Sequence, residues 1–105
     1  MAYRVLLLLL FVSTEVRAEN GDVLWSVDMG EPIFASPTLG RDGTIYLGSN
    51  ASMLTAYRAN DSEVIPLWSY TANDWIDATA ALGEDGTVYV GTYDSTLVAI
   101  DPDTG

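Results

Sequence analysis

Few side chains in this chain are of types and spacings that could do chemistry. Trp75 stands next to Asp74 and close to Asp77. An aromatic face beside two carboxylates can hold a ligand or a cation, which makes Trp75 and Asp77 the candidates for a binding site. The same residues would serve equally as decoration of an exposed loop. Asp101-Pro102-Asp103-Thr104-Gly105 sets two acids close together, as calcium loops do, yet the further oxygen ligands and the closing glutamate of such a loop are missing. A turn, with aspartate and glycine in backbone roles, explains the spacing better. Asn50-Ala51-Ser52 and Asn60-Asp61-Ser62 fit the acceptor pattern for N-glycosylation and are read as polar turns. The sequence has neither cysteine nor histidine. Disulfides, thiolate metal sites, thiol nucleophiles, a lipid-carrying N-terminal cysteine and imidazole bases therefore drop out. The expectation is no catalytic residue and no metal site.

Charge narrows the partners. The chain carries 15 acidic residues against 4 basic ones, a net charge of −11. Such a surface repels phosphate backbones and anionic headgroups, so neither nucleic acid nor an anionic membrane surface is an expected partner. It suits cations, basic partners or simple hydration of an exported protein.

Residues 1–18 have the layout of a cleavable secretory leader: Arg4 near the start, an apolar run from Val5 to Val12, and Val16-Arg17-Ala18 before a first mature residue Glu19. The run is well short of the ~20 residues a bilayer span needs, and no other segment is a span candidate. The expected location is outside the cytoplasm, periplasmic or extracellular.

The elements that must position these residues repeat. Trp25-Ser26 aligns with Trp68-Ser69, and Leu39 to Tyr46 aligns without a gap with Leu82 to Tyr89. Gly48, Leu54 and Ala56 fall on Gly91, Leu97 and Ala99. The units run about 24–66 and 67–105, and a unit of that length must stack against copies of itself to bury its apolar faces. Asp42-Gly43 and Asp85-Gly86 supply the positive φ angles of tight hairpin turns. Strands are predicted over Thr44–Ser49 and Thr87–Thr92, Ile33–Leu39 and Ile76–Leu82, Met53–Arg58 and Thr96–Asp101, with tryptophan strands at Leu24–Asp28 and Leu67–Thr71. In Val88-Tyr89-Val90 both faces carry bulk, so both faces of the sheet are covered. Short four-stranded antiparallel sheets covered on both sides and repeating at this interval predict an all-β fold of β-propeller blades, about two blades of an incomplete propeller, over residues 19–105. Small residues at Ala35-Ser36-Pro37-Thr38 and Ala78-Thr79-Ala80-Ala81 suit inner strands converging on an axis. Pro37 suits an edge, and Gly48 and Gly91 suit close approach of a neighbouring sheet.

Those residues resemble the repeats named after pyrroloquinoline quinone (PQQ), found in quinoprotein alcohol dehydrogenases and in outer-membrane assembly scaffolds of the bacterial periplasm. Ala99-Ile100-Asp101-Pro102-Asp103-Thr104-Gly105 is similar to the family's tryptophan-docking motif, A-x-D-x-x-T-G-x-x-x-W. Gly21 followed by Trp25 matches the end of that motif. Ala56 keeps its start, Arg58 replaces its aspartate, and Asn60 to Pro66 is longer than usual. The resemblance implies that each tryptophan strand is the outer strand of a blade, and that Trp25 and Trp68 wedge between blades rather than stack on a quinone. It implies an unpaired outer strand at Leu24–Asp28 and an N-terminal fragment of a longer propeller, since stacking units need about three copies.

Two functions follow from it. The first is an exported, non-catalytic propeller domain acting as a binding or interaction scaffold, with no cofactor expected and with further blades or self-association through open sheet edges. The alternative is the N-terminal part of a PQQ-dependent dehydrogenase using calcium, an enzyme whose acid–base residues are not matched here.

Overall fold

The computed structural model describes residues 19–105, so the leader expected over 1–18 lies outside the described residues. Seven strands form two antiparallel sheets. Strands β1 (Thr38–Leu39), β2 (Ile45–Ser49), β3 (Met53–Ala59) and β4 (Val64–Thr71) pair in chain order in a four-stranded sheet. Strands β5 (Ala81–Leu82), β6 (Val88–Gly91) and β7 (Leu97–Ile100) form a three-stranded one. The two repeat the same registers: Thr38 faces Tyr46 as Ala81 faces Tyr89, and Gly48 faces Leu54 as Gly91 faces Leu97. No helix occurs among the described residues. The expected all-β architecture of partial propeller blades is what the chain forms.

The turns repeat as closely. Gly43 N–H donates to Gly40 C=O and Gly86 N–H to Gly83 C=O, both at 3.0 Å. Asp42 Oδ1 accepts from Thr44 N–H, and Asp85 Oδ1 from Thr87 N–H, both at 3.0 Å. Gly43 and Gly86 both sit at φ 87°, a left-handed conformation that costs a glycine little. Only the glycine of each Asp-Gly pair takes positive φ, so these are four-residue turns closed by the glycine rather than two-residue hairpins. The β2–β3 and β6–β7 turns place Ser52 and Ser95 at φ 61° and 71°.

The core lies between the sheets. Tyr46, Leu54 and Ala56 of the first sheet are buried together with Ile76, Ala80, Val88, Val90 and Ile100 of the second unit. A Cβ at Gly48 would run into Ile76 Cγ2, which is why the strand carries glycine where the next sheet's Ile76 docks. Backbone bonds cross the junction as well: Ile76 N–H donates to Ser49 C=O at 3.3 Å, and Ser36 N–H to Thr79 Oγ1 at 3.1 Å. Thr38 Oγ1–H reaches Ala80 C=O at 2.6 Å. The small residues of the inner strands allow this approach.

Two strand expectations need correction. The inner strands shrink from Ile33–Leu39 and Ile76–Leu82 to Thr38–Leu39 and Ala81–Leu82. Upstream, Pro37 has no N–H to donate, and Ser36 and Ile76 bond across to the neighbouring unit instead of along their own ladder. Leu24–Asp28 is in neither sheet, unpaired as the resemblance implied. β4 begins at Val64 rather than at the expected Leu67, so most of the Asn60–Pro66 stretch extends a hairpin. Ala59 faces Val64, Arg58 faces Ile65 and Tyr57 faces Pro66, with a bulge beside Ala56 and Tyr57 absorbing the extra residue. Asn60 Oδ1 caps that hairpin by accepting from Ser62 N–H at 2.8 Å and Glu63 N–H at 3.0 Å. Pro66 is tolerated because β4 is an edge strand.

Candidate functional site

The fold sends most of the acids into turns. Asp42 and Asp85 are held below the ordinary carboxylate value first by the backbone N–H of Thr44 and Thr87. Asp94 is held below it by the Thr92 hydroxyl and then by Thr96. Asp101 Oδ1 accepts from Asp103 N–H at 2.8 Å, and Asp101 C=O accepts from Gly105 N–H at 2.8 Å. The Asp101–Gly105 segment is thus a turn, as its sequence suggested. Asn50-Ala51-Ser52 and Asn60-Asp61-Ser62 are turns too.

The turns also build a cavity of about 480 Å³ between the Gly40–Asp42 and Gly83–Gly86 segments, floored by Tyr46 and Leu82 and closed by Pro102 and Asp103. Burial beneath it raises the Tyr46 phenol above its ordinary value.

Trp75 lies away from these turns. Superposing the units puts it where the first unit has Pro32. Asn50 N–H donates to Pro32 C=O at 3.1 Å, and Tyr93 N–H donates to Trp75 C=O at 2.9 Å. The Trp75 ring meets the Tyr93 ring with centroids 5.7 Å apart and planes inclined by 53°. Both rings stand in solvent, Trp75 48% and Tyr93 67% exposed. Trp75 also walls a cavity of about 610 Å³ with Glu31, Pro32, Asn50, Ala51 and Ser52 of the first unit.

Asp74 Oδ1 accepts from Trp75 N–H at 2.8 Å. Asp77 does not line the cavity, and its Oδ1 is sealed from solvent with no hydrogen bond among the described residues. Asn50 lines the cavity, and its Oδ1 is sealed and unbonded in the same way. The structure therefore joins Trp75 to Tyr93, Glu31 and Asn50 rather than to Asp77. Tyr93 and Glu31 escaped the sequence reading. The signal lay in the alignment of units, where Pro32 and Asn50 are both replaced by aromatics in the second.

The other two tryptophans do the same job in both units. Trp68 Nε1–H donates to Pro102 C=O at 2.8 Å, and its ring lies 5.8 Å from that of Tyr46. Gly105, at φ 76°, lies flat on the indole, and a Cβ there would come within 2.9 Å of it. Trp25 Nε1–H donates to Asn60 C=O at 3.1 Å, on the turn that follows β3 as Pro102 follows β7. In each case a tryptophan of the repeat is pinned by the turn after a third strand, with Asp101 and Gly105 of the A-x-D-x-x-T-G run shaping the second of those turns. The chain belongs to the PQQ-like propeller repeat family. The family model that matches it is described as outer membrane protein assembly factor BamB and covers residues 12–105. No curated protein matches. Within the PQQ-like repeat, Trp68 sits between the two units, Trp25 is tied to the turn after β3, and Trp75 is an addition to the pattern.

Proposed function

We propose that the protein is an exported, non-catalytic PQQ-like propeller domain that acts as a binding and interaction scaffold. The observation that carries this reading is where the acids go. Asp42, Asp85, Asp94 and Asp101 each accept a hydrogen bond inside their own turn, so they shape backbone rather than converge on a reacting centre. A quinoprotein centre needs several oxygen ligands for calcium beside an acid–base carboxylate. Among the described residues no group of three such side chains comes together, so residues 19–105 do not fit that cofactor set. The leader-like residues 1–18 support export, and the assembly factor named by the matched family supports a partner-binding role.

Open sheet faces offer the contacts. Tyr89 and Leu97 of the second sheet are 38% and 75% exposed, and Ile33 and Phe34 before the first are 45% and 69% exposed. Further blades or a second copy of the chain are the occupants proposed for them. Thermal unfolding with and without PQQ and calcium tests the non-catalytic reading. An unchanged melting temperature is expected, and a rise of several degrees would overturn it in favour of a dehydrogenase.

A further inference from the structure

We propose that the cavity lined by Trp75, Glu31 and Asn50, its indole backed by Tyr93, binds an organic cation with N–H donors, a guanidinium or alkylammonium group. This names a ligand class for the scaffold proposed above.

The two repeat units supply an internal control. Their backbone bonds at this place are the same, Asn50 N–H to Pro32 C=O at 3.1 Å and Tyr93 N–H to Trp75 C=O at 2.9 Å. Proline and asparagine satisfy that geometry in the first unit, so the fold does not require an indole and a phenol in the second. Elsewhere in the chain the repeat's own tryptophans are tied down by their indole N–H groups, Trp25 to Asn60 and Trp68 to Pro102. Trp75 is held by backbone atoms alone among the described residues, and its ring is left 48% exposed against a 67% exposed Tyr93.

The chemistry of the walls selects the ligand. Trp75, with Tyr93 packed against its ring, is the aromatic residue lining a cavity of about 610 Å³, room enough for a small cation. An indole face attracts cations more strongly than other aromatic faces do. Glu31 adds a carboxylate to the lining, and among the described residues no basic side chain lines the cavity. Asn50 also lines the cavity, and its Oδ1 is a sealed acceptor with no donor among the described residues, a polar group that buried sites normally satisfy. The net charge of −11 raises the local concentration of cations around the whole surface. A neutral sugar would stack on the rings but gain nothing from this charge.

Titration of the purified protein with methylguanidinium chloride, followed by isothermal titration calorimetry against sodium chloride at matched ionic strength, reads the site directly. A saturable change absent in sodium chloride is expected. The double variant Trp75→Pro with Tyr93→Asn installs the residues that the first unit carries at these places, and it should weaken binding about tenfold or more. Circular dichroism confirms that this variant folds. If it does not, Glu31→Gln, which leaves both rings in place, should weaken methylguanidinium binding in its stead. An oligo-arginine peptide that competes at a much lower concentration identifies a partner protein as the source of the cation, and equal potency per cation identifies a free small molecule. A response identical in sodium chloride, one retained in the folded variants, or one matched by methyl glucoside would overturn the proposal. None of these outcomes touches the quinone and calcium test of the scaffold reading.

Discussion

Each tryptophan of the repeat is held by one polar atom at the end of a large apolar body, and the two contributions can be separated. Trp68→Phe keeps most of the contact with Tyr46 and Gly105 but gives up the bond to Pro102 C=O. Its expected cost is about 1 kcal/mol in urea unfolding. Trp68→Ala removes both and should cost about 3 kcal/mol, the low end for a large aromatic, because the ring is only partly buried. The turn acids make a second prediction. Asp42, Asp85 and Asp94 all titrate below the ordinary value of 3.8 in the folded chain. A carboxyl depressed by folding stabilises the fold wherever it is ionised in both states, and that contribution fades as the pH falls through the folded value. The melting temperature should therefore be flat through neutrality and fall below about pH 4. Asp42→Asn keeps an acceptor for Thr44 N–H but gives up the charge, so it should soften the acid limb and lower the neutral melting temperature slightly.

Elements dock through glycines, and the two units test that idea against each other. Gly48 receives Ile76 of the next sheet, whereas the nearest side-chain atom to a Cβ at Gly91 is Ala78 Cβ at 3.9 Å. Gly48→Ala should destabilise by about 1–3 kcal/mol, since overpacking at a tight contact must push the sheets apart. Gly91→Ala should fold like the parent. Ile76→Ala should relieve Gly48→Ala, giving a double variant less damaged than the sum of the singles. Strand and turn positions were legible because β-branched and aromatic runs alternate with Asp-Gly signals. The inner strands were not, because residues such as Ser36 and Ile76 have normal strand chemistry but find their partners in the neighbouring unit. The Asn60–Pro66 stretch misled for a similar reason. Its polar composition marks a turn, while the ladder from Tyr57 to Pro66 and the adjoining bulge depend on β3 running past its usual end.

At the level of the molecule, equivalent residues differ only in what covers them. Leu54 is fully buried between the sheets and its counterpart Leu97 is 75% exposed. Leu54→Ala should cost about 2–5 kcal/mol, and Leu97→Ala should stay within about 0.5 kcal/mol of the parent. Leu97→Glu should suppress any concentration-dependent self-association seen by sedimentation, if the open face of the second sheet is where copies meet. The spacing of tryptophans, glycines and Asp-Gly pairs was enough to establish repetition, strand type and family, because these follow from local backbone preference and from periodic burial. The ligand corner was beyond its reach. Trp75 meets Tyr93 across 18 residues of chain and shares a wall with Glu31 and Asn50 of the other unit. The wall shared with Glu31 and Asn50 exists only once the two units have packed, since nothing in a linear pattern encodes which loops a close-packed junction will bring together.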